Sequence, residues 1–359
     1  MHLSGVQLRD FRIFEDARLE CRAGFNLILG DNGAGKSSLL EAIFVLGRGG
    51  SHRAAPRLLL RDGASSWSVE GQVASAHAPP QRVRVAWAEG ETAIRWGTAA
   101  IGVSELVRKL PVQILDPAMH RLVDEGPGVR RRFIDWGLFH VEQSFIGVWR
   151  RCQRALRQRN AALRSGEAVS AITAWDRELA ESGEALNALR LHYLVALEPQ
   201  FQAALAALLP DQGWRFDFQR GWPAERNYLE VLQEGLERDR RYGQTLQGPH
   251  RAEVVFSGGA AGRRARGRIS RGQQKLLVCG FALSQCELVR QASGEAPIVL
   301  LDDFAAELSS AFQERLAAAL GAYSGQKFVA ALERTAALAA IGEALVFHVE
   351  HGRVAALVK

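Results

Sequence analysis

The run Gly30-Asp31-Asn32-Gly33-Ala34-Gly35-Lys36-Ser37, followed by Ser38, combines the residue types that cradle a phosphate. Its glycines let consecutive backbone N–H groups turn inward on one oxyanion. A helix opening near Gly35 would add its positive end. Lys36 would then reach the β- and γ-phosphates of ATP, and the Ser37 hydroxyl would coordinate Mg2+. Ile298-Val299-Leu300-Leu301 is an apolar run that ends in Asp302-Asp303. A carboxylate at the end of a buried strand beside a phosphate loop suits metal work, so Asp302 is expected at the Mg2+. Asp303 is expected to polarise the attacking water, with Lys36 as the other catalytic group. Ser270-Arg271-Gly272-Gln273-Gln274 would open a helix and present a hydroxyl, a bare glycine backbone and an amide to an anion. The same residues also fit a capping box, Ser at the N-cap and Gln three residues on. More than two hundred residues separate this run from the phosphate loop. That order suits a site completed in trans, Ser270, Gly272 and Gln273 of one copy facing the phosphate loop of another.

Such parts must be held by strands and helices, and the chain reads accordingly. Phe25-Asn26-Leu27-Ile28-Leu29 is a buried-strand run, and Leu39, Leu40, Ile43, Phe44 and Leu46 carry helical spacing. The phosphate loop therefore lies between a strand and a helix. Leu3, Val6 and Leu8, then Ala17, Leu19 and Cys21, suggest short edge strands broken at Asp10-Phe11-Arg12. Alternation from Ser66 to Trp96, with turn clusters at Ala78-Pro79-Pro80 and Glu89-Gly90-Glu91, predicts antiparallel strands. Pro111 to Pro117 reads as a connector. From about 128 to 209 the pattern turns helical, with a turn at Ser165-Gly166-Glu167. After the basic, turn-rich stretch Gly258 to Arg268, strand and helix alternate again up to a hairpin around His351-Gly352. The expected fold is α/β: an ATPase lobe with a mixed sheet, flanking helices and antiparallel strands, made from 1–112 and 247–359. A mainly α-helical arm lobe, 113–246, is inserted into it.

With 359 residues, 47% hydrophobic and 23% charged, the chain has ordinary globular composition and room for two lobes. No apolar run approaches the roughly 18 residues that span a bilayer. Met1-His2-Leu3-Ser4-Gly5 has neither a basic nor an apolar leader segment, so secretion is not expected. Cys21, Cys152, Cys279 and Cys286 lack metal spacing, which fits a reduced, cytoplasmic setting. The net charge of +6 permits a polyanionic partner without requiring one, and 40 arginines against five lysines fit either phosphate recognition or a compositional bias.

The three motifs resemble those of the ABC-type ATPases, and finer landmarks resemble the RecF family of DNA replication and repair proteins along nearly the whole chain. These are Asp10-Phe11-Arg12, Ser51-His52-Arg53, Gly126-Pro127 with Arg130 to Asp135, Gln158-Arg159-Asn160, Gly248-Pro249-His250-Arg251, Ser270 to Lys275, and Asp302-Asp303-Phe304-Ala305. The resemblance implies an ATP-bound homodimer that engages gapped, single- and double-stranded DNA. It also implies partnership with RecR and RecO, and through them RecA loading, with no membrane partner. Ala306-Glu307-Leu308-Ser309 replaces the family's Ser-Glu-Leu-Asp, Ala252 follows Arg251 where an acid is usual, and no histidine follows Phe328 to Leu332. These departures bear on hydrolysis more than on nucleotide binding. Candidate DNA contacts are Arg130, Arg131, Arg132, Arg263 and Arg264; the first three could also form a solvated helix face or hold the arm, and the last two could belong to a plain surface loop. An ATPase subunit of a membrane transporter would usually carry Leu-Ser-Gly-Gly-Gln where this chain has Ile269-Ser270-Arg271-Gly272-Gln273. A chromosome-structure ATPase would need far longer heptad stretches.

Overall fold

The computed structural model describes residues 1–75, 79–210, 212–258 and 263–357. The chain opens with β1 (His2–Phe11), β2 (Phe14–Glu20) and β3 (Phe25–Leu29), then the phosphate loop and α1 (Lys36–Arg48). It continues through β4 (Ser66–Ala74), β5 (Gln81–Ala88), β6 (Glu91–Trp96), β7 (Ala99–Ala100), α2 (Val103–Lys109) and β8 (Val112–Leu115). The antiparallel sheet runs β2-β1-β4-β5-β6-β7. β1 is interior, paired on both sides, and the break falls after Phe11, with Arg12 at φ 56. β1 is therefore sheet interior where a short edge strand was expected, whereas β2, carrying Ala17 and Leu19, is the edge strand the pattern suggested. Leu3, Val6 and Leu8 enter a core shared with α1; the two-residue period holds from Val6 to Leu8, and the register shift between Leu3 and Gly5 absorbs the extra residue before it.

Next come α3 (Arg121–Asp124), α4 (Pro127–Val141), α5 (Phe145–Arg164), α6 (Val169–Thr173), α7 (Asp176–Leu208), β9 (Arg215–Gln219), α8 (Tyr228–Glu234), α9 (Leu236–Tyr242), β10 (Glu253–Gly258) and β11 (Arg263–Arg264). α5 packs on α7, whose 33 residues span roughly 50 Å at 1.5 Å per residue. A small sheet, β11-β10-β9, completes this unit.

The last part supplies α10 (Arg271–Ser293), β12 (Ile298–Leu301), α11 (Ser310–Ala322), β13 (Lys327–Ala331), α12 (Ala336–Ala339), β14 (Ala344–Glu350) and β15 (Arg353–Leu357). Its strands join the first part in the order β15-β14-β3-β13-β12-β8, parallel throughout except for the β14–β15 hairpin. Two compact units result: Met1–His120 with Ser270–Lys359, and Arg121–Ile269. Both junctions differ from 112 and 247 for one reason, strand pairing between distant residues. β8 is no connector, because it pairs with β12 from Ile298↔Val112 to Leu301↔Leu115. Residues after 247 join the arm, because β10 pairs with β9.

Candidate nucleotide site

β3 is the central strand of the parallel sheet and every residue but Leu29 is buried, so the loop that follows emerges from a rigid support. Gly30 (φ 152) needs its missing side chain, since a Cβ would lie 2.2 Å from the Val349 carbonyl oxygen. Gly35 (φ 117) caps α1, and no side chain accepts from the helix's first N–H groups. Those uncapped donors are the ones an anion would use. Lys36 is only 7% exposed, and its Nζ donates to the Gly30 and Asp31 carbonyls at 2.6 and 2.8 Å. Asp31, Asn32 and Gly33 are exposed, Ala34 is buried, and Ser37 and Ser38 are half-buried on the first turn.

Asp302 follows β12 and its N–H extends the ladder by donating to the Leu115 carbonyl at 2.9 Å. Burial pushes its carboxyl above the usual carboxylate range, while a hydrogen bond with Ser37 and the charge of Arg53 pull the other way. The loop's hydroxyl and the strand's carboxylate thus act on one another, both oxygen donors of the hard kind that Mg2+ takes. Among the described residues no cluster of three or more His, Cys, Asp or Glu could hold a metal ion alone. Asp303 is half-buried with φ 56. Its carbonyl accepts from Lys275 Nζ at 2.6 Å, as do those of Phe304 and Ala306 at 3.2 and 3.1 Å. Lys275, one helical turn into α10, therefore pins the loop after β12 to the helix that Ser270 opens.

The Ser270 tip forms the complete capping box: Ser270 Oγ accepts from the Gln273 N–H at 3.2 Å, and Gln273 Oε1 accepts from the Ser270 N–H at 3.0 Å. Ser270 and Arg271 are exposed, whereas Gly272 is buried, and a Cβ on it would sit 2.9 Å from the Glu307 carbonyl oxygen and against Phe312. Gly272 thus serves packing within the chain. Ser309 caps α11.

Several neighbours were not singled out from sequence. Asp116, just past β8, acts electrostatically on Asp302, and its carboxylate meets His52 Nε2 at 3.2 Å. Behind the loop, fully buried Glu41 accepts from Arg12 (2.9 and 3.0 Å), Arg53 (3.1 Å) and Ser51 (2.5 Å). Burial alone would raise its carboxyl, but these donors outweigh it and hold it down at about 2. Only the pairing of Arg12 and Arg53 with a glutamate on the intervening helix could have signalled this cluster. A carboxyl held below its free value of 4.5 stabilises the fold above that pH and loses the contribution as pH falls towards 2. Denaturant melts of Glu41→Gln at pH 7 should accordingly show a loss of at most about 3 kcal/mol, shrinking as pH falls from 5 towards 2. An equal loss at both pH values would exclude the ionised network.

Of the five arginines proposed for DNA, Arg130 is 5% exposed and grips Glu253 through Nε and Nη2, both at 2.7 Å. Arg131 donates to the Ala252 carbonyl at 2.7 Å. Both are engaged within the arm unit, and Arg130 acts as a structural clamp. Arg132 and Arg264 are exposed. The backbone of Arg263 pairs with Gly258 in β11, its side chain lies outside the described residues, and so do residues 259–262 of the basic loop.

The family described as RecF/RecN/SMC N terminal domain matches residues 2–354. A DNA replication and repair protein RecF from Erwinia tasmaniensis is 38% identical over 359 residues, 99% of each chain. Its namesake from Edwardsiella ictaluri is 38% identical over 360 residues, 99% of this chain and 100% of that one. A solved recombination mediator protein, RecF with ATP in the RecFOR pathway, matches with a TM-score of 0.87 at 24% identity, over 99% of this chain and 98% of that one. An Smc head domain from Pyrococcus furiosus matches with a TM-score of 0.61 at 16% identity, over 99% and 96%. These structural likenesses speak for the fold, which is that of the RecF and Smc head ATPases.

Proposed function

The chain belongs to the RecF family of DNA replication and repair proteins, and from that premise we propose that it is an ATP-driven switch on DNA. Buried Lys36 held over the loop at the uncapped start of α1, with Asp302 at the end of β12, carries this reading. The loop from Gly30 to Ser38 would bind the nucleotide phosphates, Lys36 would neutralise them, and Ser37 with Asp302 would hold Mg2+. Bound Mg2+ would supply charge neutralisation at the phosphates. Asp303 is the carboxylate assigned to the attacking water. ATP would join two copies, with Ser270 and Gln273 of one reaching the phosphate loop of the other, and hydrolysis would be slow and stimulated by DNA. The differential affinity of the joined and separate forms for gapped DNA would do the switching. RecR and RecO, and RecA downstream, are the partners this reading takes from the family resemblance.

Substituting Ser270→Asp tests the shared site, because aspartate keeps the N-cap but sets a negative charge against the phosphate. The variant should bind ATP with wild-type affinity yet remain monomeric with ATP in light scattering. Mixed with a Lys36→Ala variant, it should recover part of the dimer and the ATPase, since one shared site is then intact. No recovery on mixing, or a normal Ser270→Asp dimer, would sink the trans arrangement.

A further inference from the structure

Arg150, Arg154, Arg157 and Arg164 recur at helical spacing on α5, and all are exposed. They lie on the face opposite Arg159, which is fully buried and ties α5 to Asp239 of α9 at 2.6 Å. From Arg154 to Arg164 the stripe covers about 15 Å at the helical rise. At its end Gly243, the C-cap of α9, lies against Arg164: a Cβ there would be 3.5 Å from the arginine Cγ. Immediately before it stand exposed Arg241 and Tyr242, the tyrosine 63% exposed.

The acids nearby leave the face positive. Glu178, which also acts electrostatically on Arg154, is held by Arg151 at 2.8 and 3.2 Å, Glu237 by Arg240 at 3.4 Å, and Glu167 lies beyond the end of α5. Cations at the last turns of α5 and α9 are favoured by the helix dipoles. That reason does not extend to Arg154 and Arg157, which are mid-helix. A row of guanidinium groups ending at an exposed phenol ring suits a backbone of phosphates with an unpaired base. Duplex DNA keeps its bases stacked inside and could use the arginines but not the ring.

We propose that the outer face of α5 and the end of α9 form a track for single-stranded DNA, phosphates on Arg154, Arg157 and Arg164 and a base stacked on Tyr242. The track rests on the DNA-binding reading above and adds to it a place on the arm unit for the unpaired strand.

Fluorescence anisotropy with labelled oligo-dT and with a duplex of equal length, on full-length protein without nucleotide, tests the proposal. Tyr242→Ala should weaken oligo-dT binding about fivefold or more, with duplex binding within about twofold of wild type and Tyr242→Phe restoring the strand affinity. Combined replacement of Arg154, Arg157 and Arg164 by glutamine should flatten the log–log salt dependence for the strand by about 2, roughly 0.7 per contact. ATP-driven dimerisation should be unchanged in all of these variants, which separates failure of the track from failure of the nucleotide switch. Wild-type oligo-dT binding by Tyr242→Ala, equal losses on strand and duplex, or an unaltered salt slope would each overturn the proposal.

Discussion

Lys36→Ala is expected to lower ATP affinity at least a hundredfold and to abolish the nucleotide-driven dimer. The lysine is the first residue of α1, and its ammonium is held over the loop by the Gly30 and Asp31 carbonyls at 2.6 and 2.8 Å. It is therefore positioned by the same backbone that would surround the phosphates, and its charge is nearly out of solvent. Hydrogen bonds to charged groups contribute about 1.5–3 kcal/mol each, and two of them correspond to a hundredfold or more in affinity. The fold should lose much less, because Asp31 lies at the exposed side of the loop, where water can replace the lost donor. Isothermal titration with ATP and Mg2+ gives the affinity. A thermal melt gives an independent check, since a ligand at a hundred times its Kd adds about 2.7 kcal/mol to wild type and should add almost nothing to the variant. Lys36→Arg, which keeps charge but alters its shape and reach, should retain some binding with little turnover. Binding by Lys36→Ala within about fivefold of wild type would remove the nucleotide from this loop.

What could be read in the amino-acid order was whatever is local. The phosphate loop is one contiguous run whose glycines and lysine act on each other across six residues, and its strand and helix announce themselves by their own periodicities. Asp302 was legible because an apolar run ends on it. Asp116 was not, for a four-residue strand between prolines resembles a linker until Ile298–Leu301 offers it an edge. Lys275 likewise looks like an ordinary helix residue, and only the return of the chain after β12 gives it three carbonyls to hold. The arm's boundary shifted for the same reason, since β9 and β10 are short, lie more than thirty residues apart and find each other only in space. The capping box shows the opposite case. Both of its hydrogen bonds could be anticipated from Ser270 and Gln273, yet forming them does not decide whether the exposed tip also meets a second molecule.

Arg159→Met should destabilise the arm unit by about 3–5 kcal/mol while leaving ATP affinity unchanged. Arg159 is 0% exposed and donates to Asp176 at 2.7 Å, to Asp239 at 2.6 Å and to the Thr245 hydroxyl at 2.8 Å. Thr245 in turn donates from its N–H and its hydroxyl to Asn160 Oδ1, both at 2.8 Å, and Asp239 accepts the Leu246 N–H at 3.0 Å. One guanidinium thus fixes α5, the start of α7, α9 and the segment leading to β10. Methionine fills much of the same volume, so the loss is electrostatic: two buried carboxylates are stranded, which is the costly way to break a buried pair. Burial already pushes Asp176 above its ordinary value even with Arg159 beside it. Without the arginine Asp176 should take up a proton more readily still, and lowering the pH towards 5 should recover part of the lost stability. Urea melts followed by tryptophan fluorescence would report on this unit through Trp214 and Trp222, both buried within it. A loss below about 1 kcal/mol, or one that does not shrink at lower pH, would mean that packing and not this ion network holds the arm helices together.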